Sequence, residues 1–502
     1  MDRFHASALA ALALLALSSA PAHSAPQDSA GAYRPAPPQF EIVQFVGADS
    51  ARHEVERGRF VVPEVRGKGV TRPIRLAFYR LRSTSKTPGT PIVFLAGGPG
   101  IPGTAMARIP EYYALFERLR ESGDVILLDQ RGTGLTQPDL ACGSADTLAS
   151  TFFESESLAM AAIRARLHEC AERHRSKGVA LDAYQTNENA DDVDDLRRSL
   201  GAERIRLLAV SYGTELALAV MRRHPSRVER AVLAGVRGAD HALRLPSVLD
   251  LQLRRISDLA RADSAYAKMK PDVETVARQF LEGLGKKPLP LAFTERASGR
   301  TMTYRIGRFG FQTLLQAELG DGRSAALIPA MLYTMARGDA SVFLGSLRRL
   351  HGSIATGLSA MAIATDCATG CSDERRAQVE REAALAILGN TRNLLFAPEL
   401  CAEVGSPDLG PRYRTRIYSR TPALFVSGSL DPITPPFQAE DVRWGFPNAV
   451  HLVVENGFHE TLTFGEVQDA VAAYFRGEDV RGRRIELPPP RFLTIEEAKA
   501  VR

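Results

Sequence analysis

Short apolar runs alternate with amphipathic stretches along the first half of the chain. The run VILLD at 125–129 is typical of a parallel strand that is covered on both faces. The stretches between the runs have helical spacing, most clearly at 154–175 and 189–200. This alternation predicts an α/β protein with a mostly parallel central sheet, whose strands we expect at 59–65, 74–81, 91–96, 125–129, 205–210 and 231–236.

The alternation of strand and helix patterns ends at about residue 240. Helical patterns such as LDLQLRRI at 249–256 and VARQFLEGL at 276–284 dominate, with one polar, hairpin-like stretch at 289–306. Strand patterns return at 423–428 and 450–455. We therefore predict a core of residues 40–240 and 411–486, a mainly helical cap at 241–410 inserted between its two parts, and a C-terminal tail at 487–502.

The N-terminus has the pattern of an export signal. Arg3 and His5 precede an apolar run from Ala6 to Leu17, and Ala22-His23-Ser24 before Ala25 fits a cleavage site. The run is too short to span a bilayer. The pattern predicts a signal peptide at 1–24, a flexible leader at 25–39, and a secreted or periplasmic protein with no stable membrane insertion.

Composition excludes some classes of partner. The chain has 502 residues and a formal net charge of +5. It has no dense run of Lys and Arg of the kind that follows nucleic-acid phosphates, and RGRR at 481–484 reads best as a solvated loop. We therefore expect no nucleic-acid partner. The sequence gives no indication of the oligomeric state.

Five cysteines follow the predicted signal. Export permits disulfides, and Cys142 with Cys170 is the favoured pair. Two of Cys367, Cys371 and Cys401 are candidates for a second bridge. Because the number of cysteines is odd, at least one thiol is free or pairs between chains. A zinc site at these three is the less favoured alternative, because no histidine lies at ligand spacing. We expect neither a metal nor a cofactor.

Candidate chemistry begins at LAVSYGTELA, residues 208–217. Ser211 stands between an apolar strand and a helix rich in small residues, on a turn that would present its hydroxyl above the sheet. The common pattern is G-x-S-x-G, and Ala209 replaces its first glycine. A serine that only caps the following helix is the alternative.

A serine nucleophile needs a base and an acid that orients it. Among the histidines after the cap, His459 lies in a loop past the last strand pattern and is favoured over His451, which lies within that strand. Asp431 ends the preceding strand in SGSLDPITPP and is favoured over Asp441, which has a helical context. A surface histidine and a proline-turn aspartate are the ordinary alternatives.

An oxyanion hole requires two backbone N–H groups. Tyr212 follows the nucleophile and would supply one, and Gly98 in LAGGPG at 95–100 would supply the other. Glu215 lies one helical turn after Ser211, where its carboxylate would either hold a substrate amine or bond within the fold.

These segments together resemble the ordered motif set of proline iminopeptidases and tripeptidyl aminopeptidase-like α/β-hydrolases. The resemblance rests on VFLAGGPG, LLDQRGTG, VSYGT, SGSLDPITP and NGFHE, and it covers about 40–240 and 410–465. It implies an α/β-hydrolase fold in which Asp129 and Arg131 brace the active-site loops. Ala96 stands where many proline iminopeptidases have histidine, which favours the tripeptidyl branch.

The resemblance implies a serine peptidase that removes residues from peptide N-termini. Cap carboxylates are then expected to bind the free amine, but the cap sequence does not identify them. The partner would be a peptide or another small acyl substrate. A carboxylic-ester hydrolase is the first alternative, since a fold does not fix the substrate. An inactive binding protein on the same fold is the second.

Overall fold

A ten-stranded sheet forms the centre of the protein in a computed structural model, which describes residue 33 and residues 35–67, 71–144, 148–269, 272–294 and 299–501. The predicted signal peptide and residues 25–32 and 34 of the leader lie outside the described residues. Every element below belongs to one compact unit that begins at Pro35. The strands are β1 Gln39–Val46, β2 Arg52–Pro63, β3 Pro73–Leu81, β4 Gly89–Leu95, β5 Gly123–Leu128, β6 Ile205–Val210, β7 Val228–Ala234, β8 Leu289–Thr294, β9 Thr301–Ile306, β10 Ala423–Gly428, β11 Ala449–Glu455 and β12 Ile485–Glu486.

The strand order in the main sheet is β1-β2-β3-β5-β4-β6-β7-β10-β11-β12. β2 pairs antiparallel with both β1 and β3, and β3 pairs antiparallel with β5. The pairs from β5 to β12 are all parallel. The predicted α/β class with a mostly parallel sheet is confirmed.

Helices cover both faces of the sheet and fill the sequence between β7 and β10. They are α1 Gly103–Met106, α2 Pro110–Leu119, α3 Glu156–Arg175, α4 Thr186–Ser199, α5 Tyr212–Arg223, α6 Pro246–Ala262, α7 Val273–Lys286, α8 Arg308–Glu318, α9 Gly322–Ala325, α10 Ile328–Ala336, α11 Ser341–Thr356, α12 Ala360–Thr369, α13 Asp373–Ala383, α14 Pro398–Val404, α15 Gly410–Arg414, α16 Pro436–Arg443, α17 Gly465–Arg476 and α18 Ile495–Ala500. None of the helices in the described ranges has the apolar length that a bilayer span requires.

Two apolar layers hold helices against the sheet. On one face α2 and α17 pack through residues such as Phe116 and Val471, and on the other α4, α5 and α16 pack through residues such as Leu196 and Leu216. Each such fully buried side chain contributes about 1.5–3 kcal/mol relative to exposure. The sheet is therefore covered on both faces, as its apolar central strands require.

The region between β7 and β10 has its own apolar core, to which α3 also contributes. β8 and β9 form a separate antiparallel hairpin at the predicted position. The C-terminal tail packs on these helices, because Leu493 N–H donates to Ala326 O at 3.1 Å and Phe492 is buried. The boundaries of the cap at 241 and 410 stay a prediction.

Two disulfides are present. Cys142 pairs with Cys170, as predicted, and Cys367 pairs with Cys401. Cys371 is the free, buried thiol. The bridges join positions 28 and 34 residues apart, and loops of that length correspond to about 3–4 kcal/mol each if the stabilisation is mainly entropic.

Candidate active site

Ser211 occupies a sharp turn between β6 and α5. Its φ of 55° and ψ of −126° are strained for a residue with a side chain. Hydrogen bonds hold the turn: Ser211 N–H donates to Ala234 O at 2.9 Å, and Thr214 N–H and Oγ1 donate to Ser211 O at 2.9 and 2.7 Å. The strain and its support match the geometry of a nucleophile elbow.

Gly213 makes this elbow sterically possible. A Cβ at Gly213 would lie 2.0 Å from the carbonyl oxygen of Leu95, at the end of β4, so only glycine fits. A Cβ at Gly97 would likewise lie 2.9 Å from the Ser211 Cβ. Ala209, in place of the first motif glycine, is fully buried within β6. The helix, the glycine loop and the nucleophile turn therefore pack at backbone contact distance.

Asp431 and His459 form a hydrogen-bonded pair in the loops after β10 and β11. His459 Nδ1 lies 2.8 Å from Asp431 Oδ2. The other carboxylate oxygen, Oδ1, accepts from the N–H groups of Ile433 at 2.7 Å and Thr434 at 3.0 Å. Because a carboxylate only accepts, His459 Nδ1 carries the proton and Nε2 is left as the basic nitrogen.

Thr434 completes this pair. Its Oγ1 lies 2.6 Å from Asp431 Oδ2 and 3.1 Å from His459 Nδ1. Burial alone would raise the pKa of Asp431, but the imidazole charge, the His459 hydrogen bond and the two Thr434 bonds outweigh it and hold that pKa below its ordinary value. The carboxylate therefore stays ionised beside the imidazole.

The backbone places this pair near Ser211. A Cβ at Gly235, next to the Ala234 carbonyl that binds Ser211, would lie 3.0 Å from His459 Cε1. Among the described residues no hydrogen bond joins Ser211 Oγ to the imidazole. Such bonds often form only when substrate is bound. The structure thus brings the three predicted residues together at the carboxyl ends of β6, β10 and β11.

Gly98 follows Gly97, which packs against Ser211, and Tyr212 directly follows Ser211 in the chain. Tyr212 is the first residue of α5, and Gly98 has φ of 106°, which favours glycine. Neither N–H donates to a backbone carbonyl among the described residues. Gln130 supports this loop, since its Nε2 donates to Ala96 O at 3.0 Å. Both N–H groups are therefore available for a developing oxyanion.

The DQRG segment braces the site without touching Ser211. Asp129 accepts from Thr104 N–H at 2.8 Å, from Thr104 Oγ1 at 2.9 Å and from Leu135 N–H at 2.8 Å. Burial nevertheless raises the pKa of Asp129 to about 6. Arg131 is buried and makes a bidentate bond to Asp192 at 2.7 and 2.8 Å. These bonds fix the loop after β5, on which Gln130 also stands.

The two less favoured candidates are engaged elsewhere. His451 binds Glu440 through Nδ1 and Ser427 Oγ through Nε2 at 3.0 Å, so neither nitrogen is left for Ser211. Asp441 lies in α16, as its pattern predicted, and pairs with Arg416 at 2.7 Å. This geometry agrees with the choice of His459 and Asp431, whose catalytic roles stay predictions.

Glu215 is buried in a polar cluster behind the elbow. Its Oε1 accepts from Thr369 Oγ1 and Tyr413 OH, both at 2.7 Å. Arg237 Nε lies 2.7 Å from Oε2, an ion pair without hydrogen-bond alignment. Burial raises the pKa of Glu215, and Arg237 and the two hydroxyls oppose that rise. This is the arrangement expected of a carboxylate that bonds within the fold.

Sequence reasoning missed Thr434, Gln130 and Arg237. Thr434 stands in the DPIT turn, where its spacing from Asp431 is a detectable signal for a side-chain bond. Gln130 lies inside the DQRG motif. No local pattern marks Arg237, because its partners come from distant parts of the chain. No group of three or more metal-ligating side chains occurs among the described residues.

Comparison with known proteins agrees with this architecture. Residues 90–286 match the family described as alpha/beta hydrolase fold, and residues 389–482 match the family described as TAP-like protein. The resemblance and fold expected from the sequence are thereby confirmed.

Three relatives illustrate the range of the matches. The Escherichia coli (strain K12) protein YuaR is 31% identical over 32% of this chain and 31% of its own length. The tripeptidyl aminopeptidase of Streptomyces lividans is 29% identical over 36% of this chain and 35% of its own. Serine protease Hip1 of Mycobacterium tuberculosis (strain ATCC 25618 / H37Rv) is 30% identical over 32% of each. The chain thus matches about a third of the length of these relatives.

Proposed function

We infer from the α/β-hydrolase fold of this chain, and from its TAP-like segment, that the protein is a serine hydrolase whose preferred reaction is release of residues or short peptides from peptide N-termini. The observation that carries the reaction type is the 2.8 Å bond between His459 and Asp431, beside a serine held at positive φ. The peptidase preference is supported by the tripeptidyl aminopeptidase and serine protease relatives.

The reaction follows from the protonation states of the pair. His459 Nε2 takes the proton of Ser211 Oγ as that oxygen attacks the substrate carbonyl. The N–H groups of Gly98 and Tyr212 stabilise the oxyanion of the tetrahedral intermediate. His459 then protonates the leaving amine, which departs as the acyl-enzyme forms. In the second half His459 Nε2 takes a proton from the water that attacks the acyl carbon, and it returns that proton to Ser211 Oγ as the acid is released. Asp431 stays ionised and keeps the imidazole oriented.

Ester hydrolysis is the second candidate function. The same triad cleaves esters, and one observation favours this reading: the carboxylate nearest the elbow on α5, Glu215, is already neutralised by Arg237. A free α-amine therefore has no anchor at that position. An aminopeptidase would need a carboxylate elsewhere in the helical region.

Substrates with an acetylated N-terminus distinguish the aminopeptidase from the esterase. We propose to compare p-nitroanilides of one, two and three alanines, each with a free and an acetylated N-terminus, and p-nitrophenyl acetate as the ester. An aminopeptidase should cleave the free amine far faster than its acetylated counterpart, because acetylation removes the charge. Equal rates on the free and acetylated p-nitroanilides, with fast hydrolysis of the ester, would contradict the aminopeptidase assignment. The assignment as a serine hydrolase would still stand.

Export is part of the proposal. Two disulfides form between four of the five cysteines, which is characteristic of proteins folded in oxidising compartments. The signal peptide pattern at residues 1–24 would direct the protein to export. N-terminal sequencing of protein recovered from periplasm or medium should begin at Ala25. Cytoplasmic protein that retains Met1 would contradict the export proposal.

A further inference from the structure

A cavity of about 350 Å³ lies among the helices between β7 and β10 and α3. Its walls come from α3, α8, α11, the turn at Gly357–Leu358 and the 3₁₀ helix Thr391–Phe396. Most of the lining is apolar. This size and character are those of a site for a small ligand. The apolar wall includes Phe152, Ile163, Phe309, Leu350, Leu358 and Leu394.

The charged groups of the lining are all positive. Arg166 and Arg392 line the cavity, and no acidic side chain does. Arg166 donates to the carbonyls of Gly143, Ile354 and Ala355 at 2.9–3.3 Å. Among the residues that the structure describes, Arg392 has neither a hydrogen bond nor an ion pair.

Neutral polar side chains accompany this cation: Thr313, Gln316, Ser353 and Thr391 also line the cavity. The Gln316 side chain lines the cavity, and the residue is 7% exposed. No described residue forms a hydrogen bond with its amide. An amide that lines a cavity without a protein partner is free to donate a hydrogen bond to a ligand oxygen.

The Arg392 side chain is partly buried in the cavity wall. Burial lowers the pKa of Arg392, and the charge that opposes this is that of Asp431. The candidate catalytic acid therefore lies within electrostatic range of the cavity wall. A guanidinium without a protein counter-charge is free to bind a carboxylate through two parallel hydrogen bonds.

Residues that adjoin the cavity walls in sequence contact both loops of the candidate site. Ser359, next to Leu358 in the wall, lies 3.8 Å from the Cβ position of Gly100 in the glycine loop. On the other side, the Cβ position of Gly320, just past α8, lies 3.4 Å from Ile433 in the loop of Asp431. The segments that form the cavity walls are therefore continuous with residues that pack on the two loops of the candidate site.

We propose that the cavity is a substrate pocket for a carboxylate on an apolar stem, with Arg392 and Gln316 as the groups that bind the carboxylate. The proposal rests on the proposed hydrolase function for its role in turnover, although binding itself does not depend on it. The carboxylate could come from an acidic side chain or from the C-terminus of a short peptide, since both present the same group.

Binding is tested without turnover. Calorimetric titration of the whole protein with hexanoate, and with hexanamide as the neutral analogue, should show preference for hexanoate. Loss of a charge-assisted hydrogen bond predicts that Arg392→Met weakens hexanoate about 10- to 100-fold and leaves hexanamide unchanged. Arg392→Lys should keep part of the preference. Arg337→Met, which removes an exposed arginine at the end of α10, is the matched control and should behave as the unaltered protein.

The folding of the variant provides a second readout. Because Arg392 is an unpaired cation, Arg392→Met should raise the melting temperature while it removes carboxylate binding. A purely structural arginine would instead lower it. Equal affinity of the unaltered protein for hexanoate and hexanamide, or a preference that Arg392→Met leaves intact, would overturn the proposal.

Turnover then separates the two sources of the carboxylate. Peptides with internal Glu against Gln and an amidated C-terminus form one arm, and neutral peptides with a free against an amidated C-terminus form the other. An Arg392-dependent preference in either arm supports the pocket and identifies its source. Hexanoate binding without any peptide or ester cleavage would refute the proposed function and leave the pocket standing. Cleavage with no preference in either arm would overturn the pocket and leave the function standing.

Discussion

Replacing Asp431 by asparagine should abolish activity while the fold is kept. Asp431 Oδ1 accepts from two backbone N–H groups at 2.7 and 3.0 Å, so the amide oxygen of the introduced asparagine must occupy that position. The amide NH₂ then replaces Oδ2, 2.8 Å from His459 Nδ1. An NH₂ group donates, and Nδ1 must therefore accept. This forces the imidazole proton to Nε2, which can then no longer take the proton of Ser211.

The size of the effect follows from the tautomer. A histidine that carries its proton on Nε2 cannot act as the base. The same aspartate-to-asparagine change in a serine protease triad lowers kcat about 10⁴-fold. We expect a loss of about 10⁴ in kcat for Asp431→Asn on p-nitrophenyl acetate. KM should change little, because Asp431 is buried and does not contact substrate.

The control is the same substitution at Asp441. Asp441 is a half-exposed carboxylate that pairs with Arg416, so Asp441→Asn should stay within about twofold of the unaltered protein. Steady-state kinetics of both variants, with circular dichroism to verify folding, make the comparison. A folded Asp431→Asn variant within tenfold of the unaltered protein would refute the orientation argument.

Other expectations concern the base, the elbow and a buried acid. His459→Ala should be nearly inactive on p-nitrophenyl acetate, while His451→Ala should keep most activity; the reverse ranking would reject His459 as the base. Gly213→Ala should give little folded protein in expression trials, because its Cβ would lie 2.0 Å from the Leu95 carbonyl oxygen. Burial raises the pKa of Asp129 to about 6 from about 3.9 unfolded, so its contribution to stability is complete below pH 3.9 and is lost as pH rises through 6. Urea unfolding at pH 3.5 and 7.5 should show that the free energy of unfolding changes with pH by different amounts in the two proteins. The difference between the unaltered protein and Asp129→Asn should be about 3 kcal/mol, and identical pH dependence would contradict this.

The alternation of strands and helices was readable from the sequence because the central strands are apolar on both faces. β1 was not predicted, since most of its residues are exposed at the sheet edge and leave little apolar period. Only the second half of β2 was predicted, because its first half, RHEVER, alternates charged residues on a partly exposed face. The apolar strands at the centre of the sheet, β4 to β7 and β10, were therefore predicted more completely than its antiparallel edge.

The candidate site was predictable as far as it depends on strand ends. Ser211, Asp431 and His459 follow three strands in order, and parallel topology brings such positions to one edge. The Arg237 pairing of Glu215 and the unpaired Arg392 were not predictable, because each depends on which distant loops meet. For the same reason the sequence could identify no amine-binding carboxylate in the helical region.

Covalent labelling of Ser211 tests the central claim most directly. An alkyl fluorophosphonate reacts with a serine only when a neighbouring base activates it, and intact-protein mass spectrometry measures the product. We expect one phosphonate per chain, located by peptide mapping at Ser211, with Ser211→Ala unlabelled and still folded by circular dichroism. Labelling at another residue, or no labelling of the folded unaltered protein, would contradict the assignment of Ser211 as the nucleophile.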